Sequence, residues 1–293
     1  MIRKYLKNVI KSFLHQLKPD IDMKNIVSNT QILQSQLLLH YQYLRNNNLN
    51  LPDLSDTGFR VYSQLDEDGL IHYIFSLIGT TTRRCIDIGF SGPYGSNTAN
   101  LICNNGWMGL LIEGRKDGVE NSKKYFETNK DTQLYPPTIV HQWVTRNNIN
   151  GIIENNGFLG EIDFLSIDLD GVDYWIWKSL EVVKPNLIVV EYQDIWGPEK
   201  SVTVPYKDNF DRYDFHPDFC GASIMAFIKL GRKKGYRLIG CNRMGYNGFF
   251  LRDDIGGQYF PEVKAEDVLQ HPWNQYGYQN RLPNVKDMAW EEV

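Results

Sequence analysis

The chain is 293 residues long, with 42% hydrophobic, 13% aromatic and 23% charged residues. That is the balance of a globular protein with a sizeable core, and it excludes a disordered or low-complexity chain. Its 31 Lys and Arg against 35 Asp and Glu give a net charge of −4, whereas proteins that track a phosphate backbone are basic, so nucleic acid is not an expected partner.

The first fifty residues read as helical. Ile2, Leu6, Val9, Ile10, Phe13, Leu14 and Leu17 recur at three- and four-residue steps with Arg3, Lys4, Lys7 and Lys11 between them, an amphipathic helix with a basic face. This segment holds neither the continuous apolar stretch of a secretory signal nor the ~20 apolar residues of a membrane span, so a cytoplasmic protein is expected. Pro19 interrupts the helix, and a second one follows over roughly Asn25 to Leu44. Asn46 to Asn48 and Pro52 then read as a linker. Two helices have too small a core to stand alone. Residues 1–50 are therefore expected to be an extension that buries its apolar stripes on another subunit, making a homo-oligomer. Its own domain, or a membrane surface facing the basic side, are the other two covers open to it.

From residue 58 to 293 the pattern is that of one α/β domain. The strand candidates are Arg84–Ile88, Gly109–Glu113, Thr138–Val144, Phe164–Asp168, Leu187–Glu191, Arg237–Cys241 and Phe249–Arg252. Amphipathic stretches such as Thr98–Asn104 and Tyr174–Val183 separate the first five, which implies a doubly wound parallel sheet. The last two runs are too close for a helical crossover and are expected to form an antiparallel hairpin. Cys85, Cys103, Cys220 and Cys241 form neither a C-x-x-C pair nor a zinc ladder and are expected to be reduced and structural.

Ligands of such sheets bind outside the carboxyl ends of the strands, and here acids end four of them: Asp87, Glu113, Asp168 and Glu191. Gly89, Gly92 and Gly95 let the backbone pass close to a ligand, and Asn97 or Thr98 could begin the next helix. The close G-x-G of the dinucleotide fingerprint is missing, and Asp87 would repel a pyrophosphate but suit a cationic, amine-bearing ligand such as S-adenosylmethionine. Glu113 is placed to accept from both ribose hydroxyls. Trp143 and Val144 are expected at the end of the third strand, where an adenine lies, though Trp143 reads equally well as core.

The runs Tyr62-Ser63-Gln64, Glu67-Asp68-Gly69, Asp87-Ile88-Gly89, Ser96-Asn97-Thr98, Gly106-Trp107 and Leu111-Ile112-Glu113-Gly114, in that order, resemble the FkbM-type methyltransferases. Ile167-Asp168-Leu169-Asp170-Gly171-Val172-Asp173 is similar to that family's Ile-Asp-x-Glu-Gly-x-Glu, with Asp for both Glu residues. After the first glycine the chain reads Phe90-Ser91-Gly92-Pro93, where the family often has Asp-Gly. The resemblance implies a Rossmann-like class I methyltransferase fold, S-adenosylmethionine as methyl donor, and O-methylation of a hydroxyl on a sugar, glycan or glycosylated natural product. It places Gln64, Asp87, Gly89, Ser91, Asn97, Thr98, Glu113, Trp143, Val144 and Asp168 around the cofactor.

An alcohol needs a base, a metal or both before it attacks. Asp170 and Asp173 are candidate catalytic acids, and Asp168, Asp170 and Glu191 a candidate set for Mg2+. The alternative is that Asp170-Gly171 is only a turn and Asp173 only a helix cap. His216, in a long aromatic loop, is a candidate acceptor-side base or simply a surface residue. Trp196, Tyr206, Tyr213 and Phe215 in the same loop suit either stacking on a sugar or aromatic ring, or packing on one another. Two rival functions remain at this stage, a non-catalytic binding or assembly module and a nicotinamide-dependent oxidoreductase.

Overall fold

A computed structural model of the protein describes the backbone over residues 23–293 and the side chains over residues 29–293; the first helix, expected over residues 2–17, lies outside the described residues. The chain divides into two compact units, Met1–Leu37 and Leu38–Val293. Helix α1 (Met23–Asn46) spans the boundary. In its second half Tyr41 meets the ring of Tyr73 edge-on at 4.7 Å, and Arg45 Nη1 donates to the carbonyl of Leu77 at 2.8 Å. The chain from Leu38 is thus part of the larger unit, and the segment expected to be a linker follows a helix already docked on it. Among the described residues no helix is long and apolar enough to cross a membrane.

The larger unit is built on seven strands: β1 (Arg84–Ile88), β2 (Met108–Glu113), β3 (Thr138–His141), β4 (Gly160–Ile167), β5 (Val183–Glu191), β7 (Tyr236–Cys241) and β8 (Asn247–Arg252). Their order in the sheet is β3-β2-β1-β4-β5-β8-β7. The first five pair in parallel, while β8 runs antiparallel to both β5 and β7. This is the doubly wound sheet with a C-terminal antiparallel hairpin that the sequence leads one to expect. The central strands read as almost continuous apolar runs because both faces are covered; Ile86, Ile88, Leu110, Ile112, Leu165 and Ile167 are fully buried. The covering helices are α2 (Glu67–Ile78), α3 (Ala99–Asn105), α4 (Lys116–Thr128), α5 (Ile149–Asn155), α6 (Asp173–Ser179) and α7 (Ile224–Lys234).

Several boundaries differ from expectation: β4 and β5 each begin four residues earlier, β8 begins two earlier, and β4 ends at Ile167, so Asp168 lies just beyond it. β3 ends at His141, so Trp143 and Val144 lie in the loop beyond it. The amphipathic run at 174–183 stops being helical after Ser179, because Val183 already begins β5 and pairs with Gly160. A small second sheet, β6 (Val202–Thr203) with β9 (Glu291–Glu292), fastens the C-terminus to the loop after β5; two residues per strand leave no periodicity to read. A short helix, α8 (Pro272–Tyr276), lies near that end.

At the amino ends of the strands one carboxylate organises a turn. Asp163, fully buried on β4, accepts from the backbone N–H groups of Thr81, Thr82 and Arg83, from both threonine hydroxyls and from Asn186 Nδ2, at 2.6–3.2 Å. All four cysteines are free thiols.

Candidate active site

The strand order reverses between β1 and β4, and this switch point opens the crevice where α/β sheets bind ligands. Gly89 turns the chain there with φ +91°, and a Cβ on it would lie 1.7 Å from the carbonyl oxygen of Asp168. Only glycine lets the two strand ends come so close. Asp87, two residues earlier on β1 and 4% exposed, accepts from Ser96 Oγ and Thr98 Oγ1, both at 2.8 Å. Burial pushes its carboxyl up to about 6, against the pull of the Ser96, Thr98 and Ser166 hydroxyls. Asn97 Nδ2 donates to Ser166 Oγ at 3.1 Å. Ser96, Asn97 and Thr98 therefore brace the end of β1, with Thr98 fully buried. Ser91 and Gln64 are exposed.

Glu113 ends β2 with 5% exposure and accepts the backbone N–H of Arg115 on Oε1, leaving its second oxygen for a ligand. A Cβ on Gly118 would stand 3.1 Å from Glu113 Cγ and 3.4 Å from the carbonyl of Ser91. The first turn of α4 is thus shaped to leave that carboxylate room. Trp143 is 46% exposed, so it is not core. Its ring lies on Gly114, where a Cβ would meet Cε3 at 2.7 Å, and its Nε1 donates to the carbonyl of Asp208 at 2.6 Å. Val144 is 5% exposed and belongs to the core.

The acids beyond β4 and β5 converge. Asp168, Asp170 and Glu191 each offer a carboxylate oxygen within 4.8 Å of the others, a set able to hold a cation. Burial raises both Asp168 and Glu191, and the neighbouring carboxylates raise them further. Asp170 is the open member of the three. Its φ is +54°, its side chain is 59% exposed, and Oδ1 pairs with Arg212 Nη1 at 2.8 Å. Asp173 is 1% exposed and spends both oxygens on its own loop, accepting from Leu169 N at 2.6 Å and Gly171 N at 3.0 Å. Burial lifts it to about 6 against those bonds. It is the first residue of α6, not the cap before it, and it ties the loop closed.

The loop after β5 packs partly on itself and partly on other segments. Trp196 is 8% exposed against Trp290, and Phe210 stacks on Phe215 at 5.7 Å. Tyr206 carries the Arg146 guanidinium over its ring at 4.2 Å. Tyr213 stays 72% and Phe215 48% exposed. His216 Nδ1 accepts the backbone N–H of Asp218 at 3.1 Å, so the ring proton belongs on Nε2 and no lone pair is left for a second partner.

Sequence reasoning assigned no role to a polar group behind these acids. Glu67, fully buried at the start of α2, accepts from Asn242 Nδ2 and Asn247 Nδ2 at 2.8 and 2.9 Å. Asp68 Oδ2 gathers the N–H groups of Val61, Tyr62 and Ser63 at 2.6–2.8 Å. Burial, then the charges of Glu67, Glu191 and Asp168, push the Tyr246 phenol up. Glu67-Asp68-Gly69 belonged to the motif already noted; Asn242, Tyr246 and Asn247 had no local signal, since only the hairpin brings them across. Arg212 was missed likewise.

The chain matches no protein-family model, and no curated protein matches it. Among solved structures it is similar to an O-methyltransferase from Bacillus cereus in complex with SAH, at 14% identity, TM-score 0.43, over 83% of this chain and 96% of that one. It is also similar to magnesium protoporphyrin IX methyltransferase from Synechocystis PCC 6803 with bound SAM, at 11% identity, TM-score 0.36, over 80% and 85%.

Proposed function

We propose that the protein is an S-adenosylmethionine-dependent O-methyltransferase whose acceptor is a hydroxyl of a sugar, glycan or glycosylated natural product. The observation that carries the cofactor reading is the Glu113 carboxylate at the end of β2, buried yet left with an open oxygen beside Gly118. That oxygen suits ribose hydroxyls. The Gly89 turn and Asp87 suit the amino-acid end, where a pyrophosphate would meet a carboxylate instead. When bound, S-adenosylmethionine supplies an electrophilic methyl group. Asp170 then takes the acceptor's proton, because Asp173 is committed to its loop and His216 to the Asp218 backbone. Mg2+ on Asp168, Asp170 and Glu191 would compete with the Arg212 pair for Asp170. The sugar acceptor rests on the FkbM resemblance alone.

Calorimetric titration of the purified protein with S-adenosylmethionine, NAD and a blank tests the reading. Binding of the first alone supports it; NAD binding, or neither, overturns it in favour of an oxidoreductase or a non-catalytic module. Once an acceptor is in hand, full turnover in excess chelator excludes the metal. Residues 1–50 are proposed to join subunits; on α1, Ile32 and Leu33 are 53% and 59% exposed. If so, an Ile32→Glu, Leu33→Glu double variant should lose mass in solution, and an unchanged mass overturns the assignment.

A further inference from the structure

Between the segment that follows β5 (residues 194–200) and the turns around α8 (residues 269–286) lies a cavity of about 560 Å3, within the range of small-molecule sites. It shares no residue with the Gly89–Glu113 crevice or the acid cluster. Trp196 and Tyr278 give its walls two rings, and Leu269 and Leu282 two aliphatic side chains. Trp196 is held by Trp290, edge-on at 5.1 Å. Tyr278 is 56% exposed, with its ring flush on Gly197, where a Cβ would stand 3.5 Å from Cε2.

Two wall residues carry buried polar atoms without a partner, Trp196 Nε1 and Asn274 Oδ1. Asn274 Nδ2 donates to the carbonyl of Gly245 at 2.7 Å, which fixes the amide's orientation. A buried indole N–H lacking an acceptor is a standing cost that an oxygen brought in by a ligand relieves, through the side-chain adjustment common on binding. The charges around the cavity balance. On its wall Asp194 and Glu199 stand against Lys200 and Lys286; Asp194 shares Arg281 with Asp218, and Lys200 lies 3.7 Å from Glu292. Nothing here favours an ion.

From the two rings, the orphaned donor and the balanced charge we infer that this cavity binds a neutral, planar aromatic compound bearing a carbonyl-type oxygen that accepts from Trp196 Nε1. The inference is independent of methyl transfer.

The test is binding of 6-propionyl-2-(dimethylamino)naphthalene, a neutral aryl ketone whose emission shifts blue on leaving water. Saturable binding of one probe per chain is expected, with displacement by 2-acetonaphthone at least tenfold better than by 2-ethylnaphthalene or naphthalene-2-carboxylate. Trp196→Phe keeps a ring and removes the N–H, so the preference for the ketone over the hydrocarbon should vanish. Gln279 is exposed on the cavity wall, and Gln279→Trp should lower probe affinity at least tenfold with an unchanged unfolding midpoint. No saturable shift, equal displacement by the three competitors, a ketone preference that survives in folded Trp196→Phe, or undiminished affinity in Gln279→Trp each overturns the inference.

Discussion

A Cβ placed on Gly89 would lie 1.7 Å from the main-chain oxygen of Asp168, and Gly89 itself adopts φ +91°. The turn after β1 and the end of β4 therefore touch through backbone alone. Gly89→Ala must push the two strand ends apart and strain its own φ, at a cost of about 3 kcal/mol or more. Gly92, two residues after Phe90, has nothing within 4 Å of its Cβ position, so Gly92→Ala should be close to neutral. Urea midpoints for the pair of variants check this. Equal midpoints would remove the close approach as the reason for a glycine at 89.

Glu113 carries the cofactor prediction. A buried charged acceptor serving two hydroxyls is worth ~1.5–3 kcal/mol, so Glu113→Ala should weaken S-adenosylmethionine binding by roughly ten- to a hundredfold. Glu113→Gln, which keeps one acceptor oxygen, should lose less. Calorimetry on both variants decides it, and wild-type affinity in Glu113→Ala would sink the ribose assignment.

The pH dependence of stability follows from three buried carboxyls, Asp68, Asp87 and Asp173, each raised from 3.8 to about 6 by burial. Between those values the folded chain holds protons that the unfolded chain has released. Their contribution is therefore full below about pH 4 and is lost as pH rises through about 6, the reverse of the usual salt-bridged aspartate. Melting temperature should for this reason fall between about pH 4 and 6 and gain no further slope from these three groups above that. Asp68→Asn keeps an acceptor for Val61, Tyr62 and Ser63 while removing one titration, so the slope should flatten in that variant. A slope of unchanged size would mean Asp68 does not contribute.

Much of the fold was legible because burial on both faces leaves an apolar run that needs no partner to be recognised: β1 occupies Arg84–Ile88 as read, and β2 and β7 begin one residue earlier than read. The hairpin of β7 and β8 followed from a connection too short for a helix. The acids at or within one residue of the strand ends were legible for the same reason, since a strand's end is fixed once the strand is. What escaped depends on pairs distant in sequence. Arg212 reaches Asp170 across a loop, and Asn242 and Asn247 reach Glu67 from more than 170 residues away. The roles of Asp170 and Asp173 could not be told apart from spacing, as both follow Asp168 closely. The N–H groups of Leu169 and Gly171 on one, and Arg212 on the other, separate them.

The last prediction separates stability from binding. Asp163 lies toward the amino end of β4, where it accepts three successive main-chain N–H groups from Thr81, Thr82 and Arg83 and the amide of Asn186. Arg83 has φ +51°, a left-handed conformation that a non-glycine residue keeps only when its surroundings hold it there. Asp163→Ala would leave those donors buried without acceptors, and breaking a buried charged hub of this kind costs on the order of 3–5 kcal/mol. Asp163→Asn keeps one oxygen but turns an NH2 toward the remaining donors, so it should fall between wild type and alanine. The crevice at Gly89 and Glu113 lies at the carboxyl ends of the same strands. Below the lowered midpoint, S-adenosylmethionine affinity should therefore match wild type. Denaturant unfolding and calorimetry on the same samples test both halves. A large loss of affinity in the folded variant would mean that the 81–83 turn and the binding crevice are coupled through the sheet.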